Sequence, residues 1–297
     1  MKLKTLFTLI GLSICAIATA QNLPVQLEEL TAVQFKEAVK KSSQTAIIPI
    51  GVIEKHGAHL PLGTDLFNAR AISLQAAKME YAVVFPWYYF SQINEARHQP
   101  GTIAYSPELL WKMLQETINE LHRNGFTKII LVNGHGGNKS FLDFFMMSQL
   151  AEKKDYAVYY YRPKPTYEAE VVEKVKGMTM DDKINQHGGN NETSALKHIV
   201  PHLVDPSIAS TQSGEPLNRL GNLYLAKTAI WWYAKFPNHY AGDGSKATAE
   251  AGKLLVDNAA SRLAKAIKSV KEDKNTMKLM KQFYEDAENP LNTKQPY

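Results

Sequence analysis

The chain has 297 residues, 34 Lys+Arg against 29 Asp+Glu, and a formal net charge of +5. Hydrophobic residues make up 44% and charged residues 21%, which excludes a disordered chain, a collagen-like repeat and a disulfide scaffold. The length suits one large domain or two small ones, and near-balanced charge without a long basic block gives no footprint for nucleic acid. The N-terminus opens with Met1-Lys2-Leu3-Lys4, an apolar stretch over 6–17, and the small-x-small triplet Ala18-Thr19-Ala20. The apolar stretch is too short to span a membrane comfortably, so residues 1–20 read as a cleavable signal peptide. This implies a secreted or periplasmic protein with no stable membrane insertion after cleavage. The single cysteine, Cys15, lies inside that segment, so the mature chain has no thiol for a disulfide, a nucleophile or a metal ligand.

Beyond the signal, the chain alternates between two periodicities. Helical spacing over 31–41 is followed by a buried-strand run over 45–51, a helix over 66–79 and a strand over 81–86. Residues 107–123 form a good amphipathic helix, with Pro107 at its start and Asn124-Gly125 closing it. A second buried strand over 128–133 leads to a helix over 140–151, a strand over 156–161, and a long final helix over 245–270. Asp, Glu, Lys and Asn accumulate from about Lys271, so 276–297 reads as a polar tail after a single domain over 21–275. Strands alternating with helices imply parallel βαβ units, hence an α/β, doubly wound, mostly parallel sheet with helices on both faces. In such sheets ligands bind beyond the carboxyl ends of the strands.

Three polar clusters stand where that rule directs attention. The first strand runs into Glu54-Lys-His56, whose two-residue spacing puts a carboxylate and an imidazole on one face of an extended chain. Asp65 follows after a Pro-Leu-Gly turn at the next helix start, where it can cap the helix or bridge two cations. The second strand runs into Asn133-Gly-His135-Gly-Gly137. The Lys139-Ser140 pair that follows is preceded by Asn138 and not by the glycine a phosphate loop requires, so this is not a P-loop. The third cluster is His187-Gly-Gly-Asn-Asn-Glu192-Thr-Ser194. Each alone reads equally well as a polar loop or a capped helix start, but three together point to a shared centre.

Taken in order, these motifs resemble the creatininase family, the creatinine amidohydrolase-like metal hydrolases. The likeness rests on Glu54-x-His56, Pro61-Leu-Gly-Thr-Asp65, Asn133-Gly-His135, His187-Gly-Gly-x-x-Glu192-Thr-Ser194 and the late Gly242-Asp243 segment, spanning about 46–255. The resemblance implies a three-layer α/β/α domain with a two-metal centre. Glu54, His56, Asp65, His135 and Glu192 would be metal ligands, with Asp65 bridging, and His187 would be the catalytic histidine. Two divalent cations, Zn²⁺ and/or Mn²⁺ with Fe²⁺ as an alternative, would balance three carboxylates and a bridging hydroxide. That hydroxide would attack a small, non-peptide amide, cyclic amides included. The family resemblance also implies a homo-oligomer, with a hexamer as the expected assembly.

Two departures bear on the substrate. Members that open creatinine carry a Glu where this chain has Gly137, and they carry Trp residues in a stretch where it has none between Trp111 and Trp231. A creatinine pocket is therefore disfavoured. Arg97, His98, Tyr160 and Arg162 are the candidates for meeting a polar substrate. The alternatives left open are a hydrolase of a short modified peptide or formamide, and a silent metal- or ligand-binding member of the fold. His59 reads as a supporting residue, His239 shows no partner pattern, and Trp231-Trp232-Tyr233 reads as packing.

Overall fold

The computed structural model describes residues 23–163, 169–179 and 184–293. The signal-peptide reading of residues 1–20 therefore lies outside the described residues. The first half contains α1 (Ala32–Lys41), β1 (Thr45–Ile50), α2 (Thr64–Met79), β2 (Val83–Val84), α3 (Pro107–Arg123), β3 (Lys128–Asn133), α4 (Lys139–Ser148) and β4 (Ala157–Tyr161). The second half contains α5 (Ala169–Thr179), α6 (Asn190–Ile199), α7 (Trp231–Lys235), α8 (Ala249–Glu272) and α9 (Thr276–Glu288).

The four strands form one parallel sheet in the order β2-β1-β3-β4. All six residues of β1 are buried, as expected of an interior parallel strand covered on both faces. Side chains alternate between two apolar layers. Ile47, Ile130 and Val132 join Ala76 of α2 and Leu263 and Ile267 of α8 on one face. Ile48, Ile50, Ile129 and Leu131 join Leu114 and Ile118 of α3 and Leu142 and Phe145 of α4 on the other. This is a single-domain, three-layer α/β/α sandwich.

Local chemistry sets several boundaries. Thr31 and Gln34 form a reciprocal capping box that starts α1. Pro107 fits the first turn of α3, where its missing N–H is not needed. The strand expected over 81–86 shrinks to two residues, and Pro49 explains why. The carbonyl of Ile47 accepts from Phe85 at 2.8 Å, and the Gly51 amide donates to Tyr88 at 3.1 Å, so odd-numbered residues of β1 face β2. Pro49 has no amide to offer on that side, and the ladder stops.

The polar C-terminal stretch contains more structure than composition suggested. The helix expected to be last ends at Glu272, and α9 follows it. Tyr284 of α9 is buried and donates to the Gln149 carbonyl at 3.0 Å, which pins α9 beyond α4. Among the described residues no helix is long and apolar enough to cross a membrane.

Candidate metal centre

The strand order turns back between β1 and β3, whose carboxyl ends lie side by side with Ile50 opposite Asn133. This is the topological switch point where open α/β sheets bind ligands. Glu54 and His56 leave the end of β1, and His135 leaves the end of β3. Asp65 enters in the first turn of α2. That helix start packs tightly on the end of β1: a Cβ on Gly51 would lie 2.6 Å from the Leu66 amide nitrogen, so only glycine fits. Glu192 sits in the first turn of α6 and His187 just before it, on a bridge to Ala241.

These six side chains converge. His56 Nε2 lies 3.1 Å from Asp65 Oδ1, 3.8 Å from Glu54 Oε1 and 3.9 Å from Glu192 Oε2. His135 Nδ1 lies 2.7 Å from Glu54 Oε1 and 3.1 Å from Asp65 Oδ2. The two oxygens of Asp65 therefore face two different imidazoles, the arrangement a bridging carboxylate needs. Three overlapping sets offer ligand atoms within 4.8 Å of one another: Glu54-Asp65-His135, His56-Asp65-Glu192 and Glu54-His56-His187. Glu54, His56, Asp65, His135 and His187 are buried and Glu192 is half-buried.

The electrostatics show a centre that needs positive charge. Glu54 Oε1 and Asp65 Oδ2 are buried, and the one nitrogen close to both is His135 Nδ1. A single ring nitrogen carries at most one proton and cannot satisfy two buried carboxylate oxygens, so the pair argues for a cation in the native centre. Burial opposes charge on His56, but the Asp65 and Glu54 carboxylates outweigh it and raise its pKa to about 10. Burial likewise opposes charge on His135, and Glu54 and Asp65 again push its pKa well above the usual histidine value. In effect protons occupy places that metal ions would take, since ligation requires neutral imidazoles. Burial of Glu54 is overcome by His135, His187 and His56, which hold its carboxyl well below the usual range. Burial pushes Glu192 up to about 7, against the pull of His56.

His187 differs from the other two cluster imidazoles. Burial, then the neighbouring His56, keep its pKa well below the ordinary value, so it stays neutral. Its Nε2 lies 2.9 Å from the Lys55 carbonyl, an acceptor only, which assigns the proton to Nε2 and a lone pair to Nδ1. Its ring stacks on His56 at 4.1 Å between centroids.

Three residues join the site that sequence reasoning did not select. His239 donates from Nε2 to Glu54 Oε2. Its Nδ1 accepts from the Trp232 indole at 2.9 Å, and an indole only donates, so the tautomer of His239 is fixed. Glu54 is thereby held at Oε2 while Oε1 faces the centre. Trp232, read from sequence as packing, also stands edge-on to His187 at 5.7 Å. Glu95 brings its Oε1 to 3.4 Å from His135 Nε2. The available signals were weak: a His near the Gly242-Asp243 motif, a tandem Trp pair, and an acid in the loop before Pro100-Gly101.

The substrate candidates divide. His98 reaches the rim, with its ring 6.1 Å from His239 and 4.7 Å from Tyr233 and its Nε2 on the Pro237 carbonyl at 3.0 Å. Arg97 is exposed beside it. Tyr160 packs against the α3–α4 layer and meets Asn133 at the end of β3, while Arg162 pairs with Asp143 of α4 at 2.7 Å. His59 donates to Thr193 Oγ1 at 2.8 Å, and Thr193 in turn donates to the Gly188 carbonyl at 2.9 Å, so His59 braces the glycine turn. Asp243 accepts from the Ser245 amide at 2.8 Å and shapes the turn before α8.

The sequence profile described as Creatininase, creatinine amidohydrolase, matches residues 28–267. A creatinine amidohydrolase of Pseudomonas putida is 26% identical over 196 residues, 60% of this chain and 72% of that protein. A mycofactocin precursor peptide peptidase of Mycobacterium ulcerans is 28% identical over 233 residues, 74% and 84% of the two chains. A crystal structure of creatinine amidohydrolase superposes with a TM-score of 0.68 at 22% identity, covering 84% of this chain and 99% of that one. Related creatininase structures are described as Zn-Zn and Mn forms. With the profile matched over most of its length and side chains able to hold metal gathered at its switch point, the chain belongs to the creatininase family of metal-dependent hydrolases that act on C–N amide bonds.

Proposed function

We propose that this protein is a secreted or periplasmic two-metal amidohydrolase whose substrate is a small amide other than creatinine. The observation that carries the reading is the pair of buried oxygens, Glu54 Oε1 and Asp65 Oδ2, that have only the single His135 Nδ1 between them and stand among four further candidate ligands. Glu54, Asp65 and His135 would hold one cation, and His56, Asp65 and Glu192 the other, with Asp65 shared. Zn²⁺ and Mn²⁺ suit this carboxylate–imidazole set. When bound, the cations supply an activated water near neutral pH and polarise the amide carbonyl.

The chain's own residues supply the rest. His239 and Trp232 fix the orientation of Glu54, and the Gly188 amide donates to Glu192 Oε2 at 2.6 Å. His187, neutral and protonated at Nε2, offers Nδ1 to accept a proton and return it to the leaving nitrogen. His98 and Arg97 stand at the rim, where a polar substrate would enter. A silent binding protein is disfavoured because none of the six cluster residues has been lost. A peptide substrate is the second reading, supported by the longer alignment with the Mycobacterium ulcerans peptidase. We further propose cleavage after Ala20 and a homo-oligomer, a hexamer in the simplest case.

The test is metal analysis of the purified protein followed by assay of the Zn²⁺- and Mn²⁺-loaded forms. The panel comprises creatinine, small cyclic amides, formamides and short modified peptides. The reading expects bound metal and metal-dependent hydrolysis of a non-creatinine amide. Bound metal without turnover of any amide would favour the binding protein. N-terminal sequencing of protein exported by a bacterial host tests the cleavage site, and light scattering tests the assembly.

A further inference from the structure

His135 has two ring nitrogens with different surroundings. Nδ1 faces Glu54 Oε1 and Asp65 Oδ2, so it is the nitrogen turned toward the centre. Nε2 is buried, has no hydrogen-bond partner, and has one carboxylate near it, Glu95 with Oε1 at 3.4 Å. The loop that carries Glu95 is fastened to the turn that carries His135. Gln92 donates its backbone amide to Asn138 Oδ1 at 3.0 Å and its side-chain amide to the Gly137 carbonyl at 3.4 Å. Asn138 in turn donates to Asn133 Oδ1 at 3.1 Å. Glu95 is thus delivered to His135 by a built contact between two loops.

Gly137 explains how the carboxylate fits. A Cβ at this position would come within 3.0 Å of both Glu95 Oε1 and His135 Nε2, closer than real Cβ atoms approach. The space a side chain at 137 would fill is therefore the space where Glu95 and His135 meet. A metal-ligating histidine commonly donates its second N–H to a carboxylate, which fixes its tautomer and ring orientation and raises its basicity.

We propose that Glu95 is the positioning residue for His135, and that Gly137 is glycine because this carboxylate arrives from the 92–96 loop. The inference rests on the metal reading above. Glu95 acts through His135, which it holds in the Nε2-protonated tautomer with Nδ1 free for the cation.

The test uses the full mature chain loaded with Co²⁺ and titrated with a competing chelator. Expected is a loss of metal affinity of about 10- to 100-fold in Glu95→Ala, with a changed Co²⁺ visible absorption spectrum. Glu95→Gln, whose amide oxygen still accepts the N–H, should lie much closer to the parent on both readouts. Imidazole ¹⁵N NMR of the metal-loaded parent should show His135 protonated at Nε2, a readout that needs no variant to fold. Equal affinity in parent and Glu95→Ala, equal losses in the Ala and Gln variants, or protonation at Nδ1 would each overturn the proposal. A parent that binds no metal would instead sink the metal-hydrolase reading itself.

Discussion

The two walls of the centre are built differently. On one wall Glu54, His56 and His135 hang from the ends of β1 and β3, interior strands packed in both apolar layers. On the other, His187, Glu192, Trp232 and His239 come from short helices and turns between residues 185 and 241 that add no strand to the sheet. The first wall draws its precision from the scaffold. The second must draw it from explicit hydrogen bonds: His187 to the Lys55 carbonyl, Trp232 to His239, His239 to Glu54. A rigid wall can hold charge that a looser wall could not keep in register, and the looser wall is free to vary with substrate.

The sharpest way to break this contrast is to remove the residue both cations would share. Asp65→Ala should lose both metal ions and lower activity by ~10³-fold or more, since bound cations supply several kcal/mol of transition-state stabilisation. Retention of two metals by that variant, read by elemental analysis, would contradict the bridging assignment. Next comes His187→Ala on the opposite wall. It should lower kcat by about 10²- to 10⁴-fold while keeping full metal content. Metal loss there would make His187 a ligand rather than a proton carrier.

A smaller effect is expected at His239. His239→Ala should weaken metal binding by about 10- to 100-fold, as loss of a partner to a metal ligand commonly does. Trp232→Phe, which removes only the indole donor, should fall between that variant and the parent. Equal affinity in all three would mean that Glu54 needs no such support.

The pH dependence of the metal-free protein gives a fourth comparison. The folded-state pKa of His56 is raised from 6.5 to about 10, so the stability it contributes is fully present below pH 6.5. That stability is lost as pH rises through about 10. His135 is raised in the same direction. Thermal melting of chelator-treated protein should therefore drop between pH 7 and 10, and drop less in His56→Ala and in metal-loaded protein. A drop of the same size in all three forms would remove the cluster as its cause. The smallest effect on the centre should come from the core beneath it. Leu114→Ala in α3 should destabilise the fold by roughly 2–5 kcal/mol, yet leave metal affinity unchanged.

The same division governs how much could be read from sequence. The ends of α3 and β3 matched expectation because Pro107, the Asn124-Gly125 stop and a continuous apolar run are local signals. The helix α9 was hidden because the overall polarity of the stretch masked the helical spacing of Met277, Met280, Phe283 and Tyr284, of which only Tyr284 is buried. β2 came out short because ladder formation depends on Pro49, 34 residues before Val83, which no window over 81–86 contains. The motif residues of the first wall were visible as clusters after strands. His239 was not, because its partner Glu54 lies 185 positions away and only the tertiary fold joins them. Glu95 was missed for the same reason, and Trp232 looked like core until its indole was seen to fix a tautomer.

The central claim is that Asp65 stands between two cations at the β1–β3 switch point. Anomalous diffraction from crystals of the protein loaded with Mn²⁺ or Zn²⁺ tests it most directly. The account predicts two peaks flanking the Asp65 carboxylate, one beside Glu54 and His135, the other beside His56 and Glu192. A single peak, or metal bound away from Asp65, would contradict it.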